Sequence, residues 1–391
     1  MTKRSLWSKN FILINLSVIF ASFTNFAYIY ILPVHVLRIG GSNTEVGLMG
    51  ARLTLVGLIT RLTMAPLIDK WGRKPMLMLG ILLFSLNSLG YLLLRESVVG
   101  VIAMRCFSGF TQGILFPVPP TIVSDISPKE KLVDALGYFG IASSLPAILS
   151  PVLGLYLYEQ VSPAAFFGVT LATSLLSIVF AFLYRDEYRP QPALKPAGER
   201  RRFRLGSVLE LSILFPSLVF LLALFGFSAI NNFAIAFGES RGIAGMSLFF
   251  TVHNLAIVGT RLVAGRLRGF LSTRKIIVLG LVIIGGGTLL VAFAHSLPMM
   301  LLASAVMGVG GTIYSQYLQA DALLRVPDDR RGVANSTLML AQDIGGGAGA
   351  AAFGVTSEYL GYPFTFVTAA VVTWLAIPFS LKRSRRQEPG E

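Results

Sequence analysis

Few residues in this 391-residue chain could carry chemistry, and the ones that could stand in apolar surroundings. Asp343 interrupts a run of small and aliphatic residues, and no other acidic residue lies so deep in one. Counted along a helix, it is about 15 Å from the end of its run. His253, with Asn254 beside it, reaches a similar depth in another run. A carboxyl in such a place could load and release a proton, since low dielectric penalises its charged form, and an imidazole could relay one. Equally, either side chain could be a hydrogen-bonding group at a helix interface, with Gly345-Gly346-Gly347 bringing two helices close. Arg52, Arg61, Arg105 and Arg261 are the cations inside apolar runs. Arg52 and Arg105 lie about 9–11 Å below one end of theirs. They could attract an anionic or polar solute, compensate a protonating group, or snorkel toward headgroups. Arg61 and Arg261 lie nearer the opposite ends and read as gate or anchor residues.

Uncharged polar groups are scattered through the same runs. Asn25, Gln112, Asn231, Asn232 and Gln316, with Asn15, Gln319 and Gln342, could line a cavity. Tyr28, Tyr30, Tyr138, Phe227 and Tyr314 could stack on a ring or a sugar face. Which of them face a cavity does not follow from their spacing. Catalytic chemistry is harder to assemble. No metal-spaced cluster and no nucleophilic triad is present, so the chain is expected to be no enzyme and to hold neither metal nor cofactor. Cys106 stands alone and excludes a disulfide framework; it reads as a small buried hydrophobe. Gly308-x-Gly310-Gly311 resembles part of a nucleotide loop, but no strand precedes it and no Walker lysine follows. Close helix packing is the better account.

The elements that must position these groups are membrane helices. The chain is 54% hydrophobic and only 13% charged, with a mean hydropathy of +0.71, whereas soluble domains carry about 25% charge. Many apolar runs approach the roughly 20 residues a helix needs to cross hydrocarbon. The strict alternation of a membrane barrel is absent. Twelve spans are predicted: 11–33, 46–68, 75–94, 98–122, 132–157, 163–184, 209–236, 243–265, 275–295, 298–321, 333–357 and 363–381. The first is too long for the apolar core of a cleaved signal and is followed by no small-x-small site, so it reads as a span.

Basic residues orient the spans. With both termini cytoplasmic, 26 of the 33 Lys and Arg fall on the cytoplasmic side and three outside, Arg38, Arg95 and Arg241; four lie within spans. That asymmetry is the positive-inside pattern. It also accounts for the net charge of +14 through lipid headgroups, with no need for nucleic acid. The segment 185–208, with Pro190, Pro192, Pro196 and seven basic residues, reads as a cytoplasmic linker between six spans on each side (1–184 and 209–391). An echo at an offset of about 200 residues joins the halves: Arg61 with Arg261, and Gly109 with Gly308. Two equivalent bundles around a central site are a known transporter plan.

At this level the sequence resembles the major facilitator superfamily over nearly its whole length. Asp69-Lys70-Trp71-Gly72-Arg73-Lys74, after the second span, matches the family's signature loop, with Ala65 in place of the usual first glycine. Arg105-x-x-x-Gly109 with Gly113 resembles the second family motif. Ser150-Pro151-x-x-Gly154 resembles the glycine-proline motif of exporter branches, with serine replacing its first glycine. Asp343-Ile-Gly345 and Arg330-Arg331-Gly332 look like bacterial sugar-efflux or drug-efflux permeases. The resemblance implies an all-α fold of twelve helices in two six-helix bundles, and a gating latch of Asp69, Gly72, Arg73 and Asp125. It adds Arg105, at a motif implicated in coupling, to Asp343 and His253, which their depth makes proton-coupling candidates, and it implies Pro151 with Gly154 as a conformational motif. Cavity candidates are Arg52, Asn25, Gln112, Asn231, Asn232 and Gln316. The second copy of the signature loop has Gly269 where the aspartate should be. No acidic residue lies deep in the first span, where some multidrug antiporters keep one.

The expected function is export of a small solute by alternating access, coupled to protons by antiport. The protein is expected to act as a monomer in a bacterial inner (plasma) membrane, with no nucleic-acid partner. Two alternatives remain open: an importer of the same fold, and a non-transporting receptor or lipid-handling protein.

Overall fold

A computed structural model of the chain describes residues 7–128, 131–185, 210–263, 267, 270–327 and 331–381, with side chains except at 62, 65–70, 132–134, 331 and 332. Among the described residues all regular structure is helical. The first half contains α1 (Lys9–Arg38), α2 (Asn43–Trp71), α3 (Arg73–Leu94), α4 (Val98–Leu115 and Val118–Ile126), α5 (Leu132–Ser144, Pro146–Tyr156 and a π turn Leu157–Val161) and α6 (Pro163–Leu183). The second contains α7 (Leu214–Ser240, after a 3-10 turn), α8 (Leu248–Val263), α9 (Thr273–Ala292), α10 (Leu297–Leu324), α11 (Arg331–Tyr359) and α12 (Gly361–Trp374 and Ile377–Leu381). Nine of these are long and apolar enough to cross a membrane, and α8 is apolar but only 16 residues long. The two least apolar are α2 and α11, which carry Arg52, Arg61 and Asp343.

Several helix ends run past the predicted spans, because an apolar window marks hydrocarbon thickness whereas a cap marks where hydrogen bonding starts; α7 and α8 instead begin five residues later than predicted, at Leu214 and Leu248. Ser42 accepts from the Glu45 amide at 3.1 Å and Glu45 accepts from the Ser42 amide at 2.8 Å. This capping box begins α2 three residues before the predicted span. Its other end stops at Gly72, whose φ of +91° suits glycine and turns the chain directly into α3. Proline divides two helices that the sequence reads as continuous. α4 breaks at Phe116-Pro117 and α5 at Leu145, before Pro146, because proline removes an amide donor and crowds the preceding turn.

The chain divides into two compact units, Met1–Pro196 and Ala197–Glu391. The predicted linker falls outside the described residues except for Arg185. Within the first unit α1 packs on α5 and α6, α3 on α4 and α6, and α2 on α4. Within the second the same pairs recur six helices on: α7 with α11 and α12, α9 with α10 and α12, α8 with α10. The register recurs as well. A Cβ on Gly109 of α4 would collide with the Leu53 carbonyl of α2, and one on Gly308 of α10 would stand 2.6 Å from the His253 carbonyl of α8. Gly80 meets Leu115 as Gly280 meets Tyr314. The offset of about 200 residues is therefore a repeat of backbone contacts, held by glycines that admit a neighbouring backbone.

His35, 2% exposed, ties three elements of the first unit together at one end. Its Nε2 lies 2.7 Å from the Arg95 carbonyl and its Nδ1 2.7 Å from the Tyr158 hydroxyl. A carbonyl only accepts, so Nε2 carries the proton and Tyr158 donates to Nδ1. Beside it Arg38 pairs with Glu159 at 2.7 Å across the same helices. His35→Ala strips both bonds from buried partners and should cost about 2–3 kcal/mol, read as a lower melting temperature of the purified protein. An unchanged melting temperature would show that this junction is not structural.

Candidate functional site

The second unit carries a half-open cavity of about 220 Å³ between α7, α8, α9, α10 and α11. One wall is aromatic. Phe227 of α7 stacks on His253 of α8, with ring centres 5.3 Å apart and planes 23° from parallel; Phe220 and Tyr314 meet at 6.0 Å. The polar lining is Arg261 at the end of α8, Thr312, Ser315 and Gln316 on α10 and Gln342 on α11, set among apolar Leu224, Ile257 and Ile284. Among the described residues no Asp or Glu lines it. His253 is 7% exposed, and its Nδ1 lies 3.2 Å from the Ser304 carbonyl. The carbonyl must accept, so in the neutral ring Nδ1 holds the proton and Nε2 keeps its lone pair. Ser304 is itself fixed by its bond to the Phe249 carbonyl. Gly308 allows this contact, since any side chain there would push α8 away.

Of the residues singled out from the sequence, the cavity collects His253 and Gln316, together with Gln342, Phe227 and Tyr314. Asp343 is half-buried close to the middle of α11, next in sequence to Gln342, and is not without a partner. Asn231 and Asn232 are half-buried on α7 but outside the lining; Asn232 donates back to the Ser228 carbonyl at 2.8 Å. Arg261 and Phe220 join the lining, which their spacing along the chain does not indicate. Arg261 reads as a gate residue by depth alone, and the rotation of α8 decides what it faces.

The remaining candidates belong to the first unit. Arg105 of α4 is 5% exposed, and its Nε and Nη1 have no hydrogen-bond partner. It lies beside the phenols of Tyr91 and Tyr28. Among the described residues no carboxylate pairs with it, and a buried guanidinium without one is costly. Asn25 is half-buried with its Oδ1 unpaired, Gln112 is half-buried, and Arg52 is exposed. Tyr28 is not available to stack on a solute: it is 1% exposed and donates to Thr170 Oγ1 at 2.9 Å. Tyr138 is exposed and rests against Trp7, with centres 4.9 Å apart. Cys106 is only half-buried. Pro151 and Gly154 are buried on α5, where a Cβ on Gly154 would stand 3.3 Å from Ile31 of α1.

At the junction of α2 and α3, Arg73 Nε donates to Asp125 Oδ2 at 3.1 Å, joining the start of α3 to the end of α4. Arg73 is largely buried and Asp125 is exposed by a third of its side chain. Gly72 supplies the turn between the helices. The Asp69 side chain lies outside the described residues. Lys74, which reads as a topology anchor, also closes this end by donating to the Tyr184 carbonyl at 2.6 Å and the Phe182 carbonyl at 2.9 Å.

The family model for the Major Facilitator Superfamily matches residues 14–269 and 217–391, and the chain belongs to that superfamily. An uncharacterized MFS-type transporter of Methanocaldococcus jannaschii is 22% identical over 88% of this chain and 90% of its own. Multidrug resistance protein 1 of Bacillus subtilis is 24% identical over 87% of this chain and 88% of its own. Among solved structures, a bacterial homolog of the human lysosomal transporter Spinster superposes with a TM-score of 0.81 at 13% identity, covering 99% of this chain and 100% of that one. The nucleoside transporter NupG gives 0.78 at 12%, covering 95% and 100%. The protein is therefore a multi-pass membrane protein with the twelve-helix fold, a secondary transporter of a small solute by alternating access, and not an enzyme.

Proposed function

We propose that this transporter exports its solute across a bacterial inner membrane by exchange with protons, as a monomer with both termini in the cytoplasm. The observation that carries the coupling is the position of Asp343, a carboxyl close to the middle of α11 and next to a cavity-lining residue. An ionisable group at membrane depth is a functional candidate by default. His253 and Arg105, both buried, are the other proton-coupling candidates. Export is favoured by the Ser150-Pro151-x-x-Gly154 sequence of α5 and by the likeness to a multidrug resistance protein. The orientation rests on the distribution of Lys and Arg.

The test is proton movement in inverted membrane vesicles carrying the protein, challenged with drugs, sugars and organic acids. Proton release from the lumen on adding one compound, absent in empty-vector vesicles, is the expected result. Solute movement that ignores the pH gradient would remove the antiport reading and favour facilitated diffusion.

The Arg73–Asp125 pair acts in this reading as part of a cytoplasmic latch. A charge-assisted hydrogen bond is worth about 1.5–3 kcal/mol, and the exposure of Asp125 places this one at the lower end. Arg73→Ala should therefore slow turnover by on the order of tenfold, with solute affinity within about twofold. Unchanged turnover would mean that the pair only anchors topology.

A further inference from the structure

We propose that the cavity of the second unit binds a planar aromatic solute that is neutral or anionic, and that it selects against organic cations. This names the substrate class of the site and rests on the transport reading only for what binding is used for. Its volume of about 220 Å³ is below the roughly 300–1,000 Å³ of drug-sized pockets, which suits one or two fused rings. Phe227, stacked on His253, and Tyr314 place aromatic rings in the lining. Gln316 and Gln342 spend their amides on no hydrogen bond among the described residues, so both can read polar groups on a ring edge. His253, 93% buried, presents Nε2 to the cavity because Nδ1 is committed to the Ser304 carbonyl.

Charge decides the class. Among the described residues Arg261 is the one charged residue in the lining, and no carboxylate belongs to it. Asp343 is one residue from Gln342, but neighbours on a helix point about 100° apart, and Asp343 is not in the lining. A cation entering the cavity meets a guanidinium and amides, with no counter-charge among the lining residues. An anion gains the guanidinium.

The probes are 2-naphthoate, 2-naphthamide and 2-naphthylmethylammonium, bound at equilibrium to the purified full chain in lipid nanodiscs. Naphthoate and naphthamide should bind, and the ammonium should bind more weakly by on the order of tenfold. Arg261→Gln should erase the lead of naphthoate over naphthamide, whereas Arg261→Lys should keep it. Gln316→Leu with Gln342→Leu should weaken both. Tighter or equal binding of the ammonium overturns the proposal, as does absence of binding by all three or an Arg261→Gln variant that leaves the ranking unchanged. Proteoliposome flux separates the two readings. Naphthoate that binds but does not cross leaves this site standing and counts against transport, whereas flux of cations independent of Arg261 does the reverse.

Discussion

Asp343→Asn is expected to abolish solute movement driven by a pH gradient while leaving the protein inserted, folded and able to bind. The two side chains have nearly the same shape, and a half-buried site on α11 should accept the amide. What the amide cannot do is gain and lose a proton in the working range. If the carboxyl carries the coupling proton, gradient-driven flux should fall to the level of empty vesicles, a loss of at least about a hundredfold where a positioned proton-transfer group is removed. Exchange of labelled for unlabelled solute on opposite sides needs no net proton movement, so it should persist. That contrast distinguishes coupling from damage: a structural role for Asp343 predicts that both activities fall together. Gradient-driven flux at the normal level would falsify the coupling role outright.

A second large effect is expected two residues further along α11. A Cβ on Gly345 would collide with the Leu221 carbonyl oxygen of α7, with the carbonyl carbon at 2.9 Å and Cα at 3.0 Å. All three are backbone atoms, so no side chain can swing aside and the two helices must separate. Overpacking of this kind costs about 1–3 kcal/mol and occasionally more, and the α7–α11 contact is among the most extensive in the unit. Gly345→Ala should lower the melting temperature and the yield of inserted protein. At Gly346 an added Cβ meets nothing within 4 Å, and alanine is favoured over glycine inside a helix by about 0.8–1.0 kcal/mol. Gly346→Ala should therefore be neutral or stabilising. Equal effects at the two positions would show that the close approach of α7 and α11 does not depend on glycine.

The two glycines show where sequence reasoning stops. Gly345 and Gly346 are neighbours in a run of three, and nothing in the run tells which one meets another backbone. That depends on how α11 is rotated against α7, which is set by packing over the whole bundle. The same holds for the tyrosines. Tyr28 and Tyr314 both occupy apolar runs, but one is bonded to Thr170 inside a helix interface and the other lines the cavity. Arg61 and Arg261 align in the repeat, and only the second belongs to a described cavity.

By itself the sequence determined the class of the molecule. Apolar runs of membrane length can only be helices, because backbone amides in hydrocarbon must bond within their own segment. A signature loop with its Asp, Gly and Arg, together with the offset of 200 residues, pointed to a duplicated transporter fold. Those signals are local or additive, so they survive without coordinates. The tertiary structure alone decided which polar groups meet. It brought His253, Gln316, Gln342 and Arg261 to one cavity from three helices, joined Arg73 to Asp125 across 52 residues, and buried Arg105 with its Nε and Nη1 unpartnered among the described residues. The physical reason is that a helix that is hydrophobic on most of its faces carries little record of its own rotation. Packing fixes that angle, and the angle chooses what each side chain touches.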